Sequence, residues 1–144
     1  MANLTSFHAH GKLLITGEYA VLDGAKALAI PTRLGQRLDI IGGLGRQEAS
    51  FSWNSFEVDG RIWFSAIFSS ENGKCLESSD ENIAKRLEQL FQFILRQKPN
   101  FLQAHQGCQI STHLEFPRLW GLGTSSTLVY LLAQWADIDP FPLQ

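Results

Sequence analysis

The residues best suited to chemistry lie in the run Phe116-Pro117-Arg118-Leu119-Trp120-Gly121-Leu122-Gly123-Thr124-Ser125-Ser126-Thr127. Its glycines let the backbone come close to a ligand, because no Cβ intervenes. The hydroxyl run that follows reads as the start of a helix. There, unpaired N–H groups and about half a unit of positive charge attract anions. A phosphate group suits such a place, and Ser125 or Ser126 could give a hydroxyl oxygen to Mg²⁺, a hard cation. The same pattern would also arise if Thr124 or Ser125 simply caps a helix after a Gly-rich turn. Two common phosphate motifs are excluded. GxxxxGK[ST] is absent, and Ser126 stands where the dinucleotide fingerprint requires a third glycine.

A second segment with chemical potential is His10-Gly11-Lys12-Leu13-Leu14-Ile15-Thr16-Gly17-Glu18-Tyr19-Ala20-Val21-Leu22-Asp23-Gly24. Lys12, at the start of an apolar strand, could steady a phosphate as a point charge. Glu18 and Tyr19, just past that strand, could hold substrate hydroxyls. Taken alone, the same residues could equally be a solvated lysine, a turn glutamate and a packed tyrosine.

Read together, the two segments resemble the first and second motifs of the GHMP kinases, the galactokinase, homoserine kinase, mevalonate kinase and phosphomevalonate kinase superfamily. HGKLLITGEYAVLDG resembles the family's PGKxxLxGEHAVxxG, with His10 in the proline place and Tyr19 in the histidine place. PRLWGLGTSST resembles PxxxGLGSSA, with Thr124 for the first Ser and Ser126 for the Ala. Tyr19 looks more like the phosphomevalonate branch than the mevalonate kinases. The resemblance covers essentially the whole chain, but only the N-terminal half of a typical family member.

The resemblance implies ATP-dependent phosphoryl transfer to a small-molecule substrate, with ATP and Mg²⁺ as cofactors. Gly121, Leu122, Gly123, Thr124, Ser125 and Ser126 would surround the ATP phosphates, and Ser125 would ligate Mg²⁺. Lys12 would lie near the phosphoryl acceptor, and Glu18 and Tyr19 would face the substrate. Such chemistry is chiefly positioning and charge neutralisation. The implied fold is an α+β ribosomal-protein-like domain, a mixed sheet with helices on one side and a left-handed βαβ crossover, an exception to the usual hand. The family's catalytic Asp, its acidic metal ligand and its third, Gly-rich motif lie beyond the second motif and have no counterpart here. Asp137 and Asp139 read instead as helix-end or loop charges. Two rival readings remain: a sugar or homoserine kinase of the same superfamily, and a non-catalytic domain that binds a nucleotide or a partner.

The elements that must position these residues are partly legible. Leu13 to Ile15 and Ala27 to Ile30 read as short buried strands, the second closed by Pro31. Arg37 to Ile41 alternates as a half-buried strand that Gly42-Gly43-Leu44-Gly45 ends, a turn rather than a phosphate loop. Asp59-Gly60 between the runs Ala49 to Val58 and Arg61 to Phe68 predicts a hairpin. Its aromatics Trp53, Phe56, Trp63, Phe64 and Phe68 are expected on its core-facing side. Ser78 with Glu81 fits a capping box ahead of a helix carrying Ile83, Leu87, Leu90, Phe91, Ile94 and Leu95, which Pro99 ends. Gly107 to His113 alternates as a strand, with Cys108, Ile110 and Thr112 expected to mark its two faces. Thr124 to Ala136 predicts a second helix, apolar on much of its circumference.

Composition sets the outer limits. Hydrophobic residues make up 44% and charged residues 18% of the 144-residue chain, which excludes disorder and fits one core. Twelve Lys+Arg against 14 Asp+Glu give a net charge of -2, with no basic footprint for nucleic acid and no polybasic patch for a membrane. No apolar run reaches the roughly 18 residues that cross a bilayer. MANLTSFHAH lacks the features of a signal peptide. The expected setting is therefore cytoplasmic, with Cys75 a reduced loop thiol and Cys108 a buried one. His8, His10, His105 and His113 lack metal-ligand spacing and are expected to be structural or solvated. Phe91, Phe93 and Leu95 crowd one helix; a core explains most of them, with a homodimer as an open option. The closing Asp139-Pro140-Phe141-Pro142-Leu143-Gln144 resembles a connection, so the chain is expected to be the N-terminal domain of a longer protein.

Overall fold

A computed structural model describes residues 3–15, 28–42, 49–118 and 124–139. Among these residues six strands and two α-helices follow in order: β1 (Asn3–Ile15), β2 (Leu28–Gly42), β3 (Ser50–Phe56), β4 (Ile62–Ser69), β5 (Cys75–Ser78), α1 (Glu81–Gln97), β6 (Gln109–Leu114) and α2 (Thr124–Ala136), with a short 3-10 turn at Gln103–His105 before β6. The strands form one six-stranded mixed sheet in the order β1-β2-β6-β3-β4-β5. With its two helices this is an α+β architecture. Only β3 and β6 pair in parallel among the described strands. The chain between them holds β4, β5 and α1, since parallel neighbours require a long crossover.

The hairpin forms where Asp59-Gly60 predicts it. Gly60 adopts φ 88°, a left-handed conformation that glycine enters without a Cβ penalty. Its N–H donates to the Glu57 carbonyl (2.9 Å), and the Asp59 carboxylate accepts from the Arg61 N–H (3.0 Å). This is a three-residue loop closed by a left-handed glycine. The strands then pair from Phe56 with Ile62 to Ser50 with Ser69.

Period-two burial sorts the hairpin's aromatics between two faces. Phe51, Trp53, Phe64 and Phe68 are buried on the inner face, as expected for Trp53, Phe64 and Phe68. Phe56 and Trp63 are not on that face. They occupy the alternate positions, where Phe56 stacks on the His113 ring (4.8 Å between centroids) and Arg118 lies 4.4 Å over the Trp63 ring.

Both helices cover the inner face. From α1, Phe91 inserts among Phe51, Trp53 and Phe68, with ring centroids 5.4, 6.0 and 5.1 Å away. From α2, Val129, Leu132 and Ala133 complete the same core with Leu38, Ile40 and Ile110. Cys108, Ile110 and Thr112 share this one face rather than marking two.

Helix ends follow local chemistry. The α1 cap is Asp80, whose carboxylate accepts from the N–H groups of Asn82 (2.9 Å) and Ile83 (3.3 Å). Ser78, the expected cap, instead belongs to β5 and pairs with Ala66. Cys75 also lies in β5 rather than in a loop. Phe91 is wholly buried, and Phe93 and Leu95 pack half-buried against the core. The last helix spans the expected residues. Asp137 ends it at φ 56°, with the Ile138 N–H returning to the Ala133 carbonyl (3.0 Å). That left-handed closure usually takes glycine or asparagine.

Two strands are longer than the sequence suggests. β2 runs through Pro31 and joins the two short runs read on either side of it. Because β6 pairs only with Gln36 to Ile41, Pro31 borders a single strand, β1, where a proline is tolerated. β1 extends thirteen residues along β2, with its polar N-terminal half alternating around Phe7 and Ala9.

Candidate functional site

The expected site residues fall into two sets. Lys12 lies in β1, paired with Pro31 of β2. Thr124, Ser125 and Ser126 are the first three residues of α2. Glu18, Tyr19, Gly121, Leu122 and Gly123 lie outside the described residues, as do Gly43, Leu44 and Gly45. Helix α2 packs across β1 and β2, so the strand carrying Lys12 and the helix opened by three hydroxyl residues are tertiary neighbours. Hydroxyl oxygens are hard donors of the kind Mg²⁺ takes, and α2 is long enough, at thirteen residues, to present a developed dipole. The residue types at this helix start therefore fit a Mg²⁺-bound phosphate.

The region beside this helix start is tied down by two adjacent residues of β2. Between the pairs His10–Gly35 and Lys12–Pro31, one β1 residue, Gly11, faces three of β2, Thr32 to Leu34. The bulge is held by His10 Nδ1 against the Thr32 carbonyl (3.0 Å) and by the Thr32 hydroxyl donating to the Leu34 carbonyl (2.6 Å). Gly35 follows it. A Cβ there would overlap the Ala9 carbonyl oxygen, so the close approach of β1 and β2 requires glycine. Gly35 exchanges two hydrogen bonds with Glu115: the Glu115 N–H donates to the Gly35 carbonyl (3.0 Å), and the Gly35 N–H donates to Glu115 Oε1 (2.8 Å). Next along β2, the buried Gln36 donates from Nε2 to Thr127 Oγ1 in the first turn of α2 (2.7 Å).

Glu115 carries a further contact, to His8 Nε2 at 2.6 Å. Burial by itself would raise its carboxyl, but the hydrogen bonds from His8 and the Gly35 N–H, with the nearby charges of His8 and Arg37, outweigh it. The group is held below the ordinary carboxylate range. Along the outer sheet face, Asp39 collects Ser6 (2.7 Å), Arg37 (3.0 Å) and His113 (3.5 Å). Partial burial, and then the charge of Arg37, push His113 down despite Asp39. Arg118 reaches Glu57 at 3.5 Å while it lies over Trp63, linking the residues after β6 to the hairpin.

The histidines accordingly have structural partners. His105 packs against both Phe101 and Trp135, 4.9 Å from each ring, while those two rings meet at 4.7 Å, and burial lowers its pKa. Among the described residues, no three His, Cys, Asp or Glu side chains converge on a point that could hold a metal ion. Cys75 and Cys108 are free thiols.

Sequence reasoning missed Gln36 and Glu115, and it gave Thr127, the last residue of the Gly-rich run, no role of its own. Gln36 carried one usable signal: it is an amide at an inward position of a strand whose next inward residues are Leu38 and Ile40. Glu115 carried none, because its partners are 80 and 107 residues away in the chain. Comparison with protein-family models and with curated protein sequences finds no match to this chain.

Proposed function

We propose that this chain is the nucleotide-binding part of an ATP-dependent small-molecule kinase of the GHMP type, with the left-handed crossover and ribosomal-protein-like domain that this type implies. One observation carries the reading. The two segments that resemble the family's motifs are distant in sequence, yet the strand of one and the helix of the other pack together. In this reading Gly121, Leu122, Gly123, Thr124, Ser125 and Ser126 surround the phosphates of ATP, and Ser125 is the residue that would hold Mg²⁺. The ion would neutralise charge on the transferred phosphoryl group. The N–H groups at the start of α2 donate to the phosphate oxygens. Lys12 steadies the transferred group near the acceptor, and Glu18 and Tyr19 orient a mevalonate- or phosphomevalonate-like substrate. A cytoplasmic setting accords with this chemistry and with the two free thiols, and neither nucleic acid nor a membrane is a partner.

Calorimetric titration with ATP, with and without Mg²⁺, tests the reading. Saturable, Mg²⁺-dependent binding is expected, weakened about tenfold or more in Ser125→Ala because a charge-assisted contact is lost. Absence of binding by the unaltered chain would overturn the nucleotide site. Unchanged affinity in Ser125→Ala would remove that residue from the metal.

A further inference from the structure

We infer that Gly35 and Gln36 of β2 form the anchor that sets the first turn of α2, and that Gln36 is a positioning residue for the phosphates of the nucleotide. The second part rests on the phosphate-site reading above; the first does not. Gln36 is 1% exposed and Thr127 2%. A buried amide costs free energy unless it is hydrogen-bonded, and a leucine would fill an inward strand position without that cost. What the amide gains there is the bond from Nε2 to Thr127 Oγ1, which joins the sheet to the fourth residue of α2.

The neighbouring residue grips the other side of the same segment. Through its two bonds with Glu115, Gly35 fixes the chain just after β6. Glu115 and Thr127 are therefore tied to consecutive residues, whose Cα atoms lie about 3.8 Å apart, although the stretch joining them could extend to roughly 40 Å. Bringing chain ends together costs entropy, and side-chain bonds at both ends offset it. Gly35 must be glycine for β1 to pass, and its N–H and the Gln36 amide bind Glu115 and Thr127 from adjacent positions on one strand. A helix N-terminus serves an anion only where its N–H groups meet the charge, and misplacement by about 1 Å can cost two orders of magnitude in a catalysed reaction.

The test uses Gln36→Met, which keeps length and burial but removes the donor, and Thr127→Val, which removes the acceptor from the other side. Two readouts are taken on the unaltered chain, each variant and the double variant. The first is amide hydrogen exchange without ligand: both variants are expected to speed exchange at residues 128–130, whose N–H groups bond the carbonyls of the first turn, while residues 133–136 keep their protection. Unchanged exchange at residues 128–130, or an equal rise along the whole helix, would overturn the anchor. The second readout is affinity for Mg·ATP and for adenosine. Each variant is expected to weaken Mg·ATP about tenfold and leave adenosine unchanged, with the double variant no weaker than either single one. Parallel loss of adenosine, or additive losses in the double variant, would overturn the positioning role. If the unaltered chain binds no ATP, the nucleotide reading and the role of Gln36 toward phosphates both fail, while hydrogen exchange still decides the anchor.

Discussion

Glu115 joins three strands through one residue: its backbone follows β6, and its carboxylate accepts from Gly35 of β2 and bonds His8 of β1. Because these contacts favour the charged form, the carboxyl titrates lower in the folded chain than in the unfolded one, where glutamate lies near about 4.3. The stability it contributes is present above that ordinary value and is lost as pH falls through the lower, folded one. Glu115→Gln keeps an oxygen for the Gly35 N–H but loses the charge. Its stability should therefore decline less steeply between about pH 5 and 3 than that of the unaltered chain, as read from urea midpoints across that range. Superimposable acid limbs would show that the carboxylate is not held in its charged form. At this scale the sequence was informative about residue types but not about partners. His8 and His10 were expected to be structural or solvated; both are exposed, and they are bonded to Glu115 and Thr32.

Elements form where local chemistry and burial agree, and α1 shows which of two local signals prevails. Ser78-x-x-Glu81 and Asp80 both offer a cap to the same helix. β5 pairs Ser78 with Ala66, which leaves Asp80 at the junction, where its extended backbone (φ -150°, ψ 114°) aims the carboxylate at Asn82 and Ile83. Asp80→Ala should cost about 1 kcal/mol, and Ser78→Ala much less. Thermal melting of the two variants side by side checks the assignment, and the reverse ranking would restore the capping box. The boundaries of α2 were fully legible, because Thr124 opens its pattern and its periodic apolar run ends at Ala136. β1 was not, because polar alternation over Asn3 to His10 gains meaning only beside β2.

At the scale of the whole molecule, one sheet face is covered by both helices and the other carries polar and charged groups together with Phe56 and Trp63. Phe91 is the point where α1 meets both strands of the central hairpin. Phe91→Ala should destabilise the chain by about 3–5 kcal/mol, since the cavity would open among three other rings that cannot all collapse into it. Denaturant unfolding followed by tryptophan fluorescence measures it. A loss below about 1 kcal/mol would mean that the helix is not part of one cooperative core.

What the sequence determined by itself is the periodic part. An Asp-Gly turn demands a left-handed residue, alternation places Trp53 and Phe68 inward, and apolar spacing of three and four residues defines both helices. These signals depend on near neighbours, so they survive without a fold. Tertiary structure alone decided the rest: β2 passing Pro31, Phe56 and Trp63 turning outward, and Gly35 and Gln36 gripping residues that flank the Gly-rich segment. Each depends on which strand lies alongside, and strand order is set by burial of the whole sheet rather than by any local run of residues.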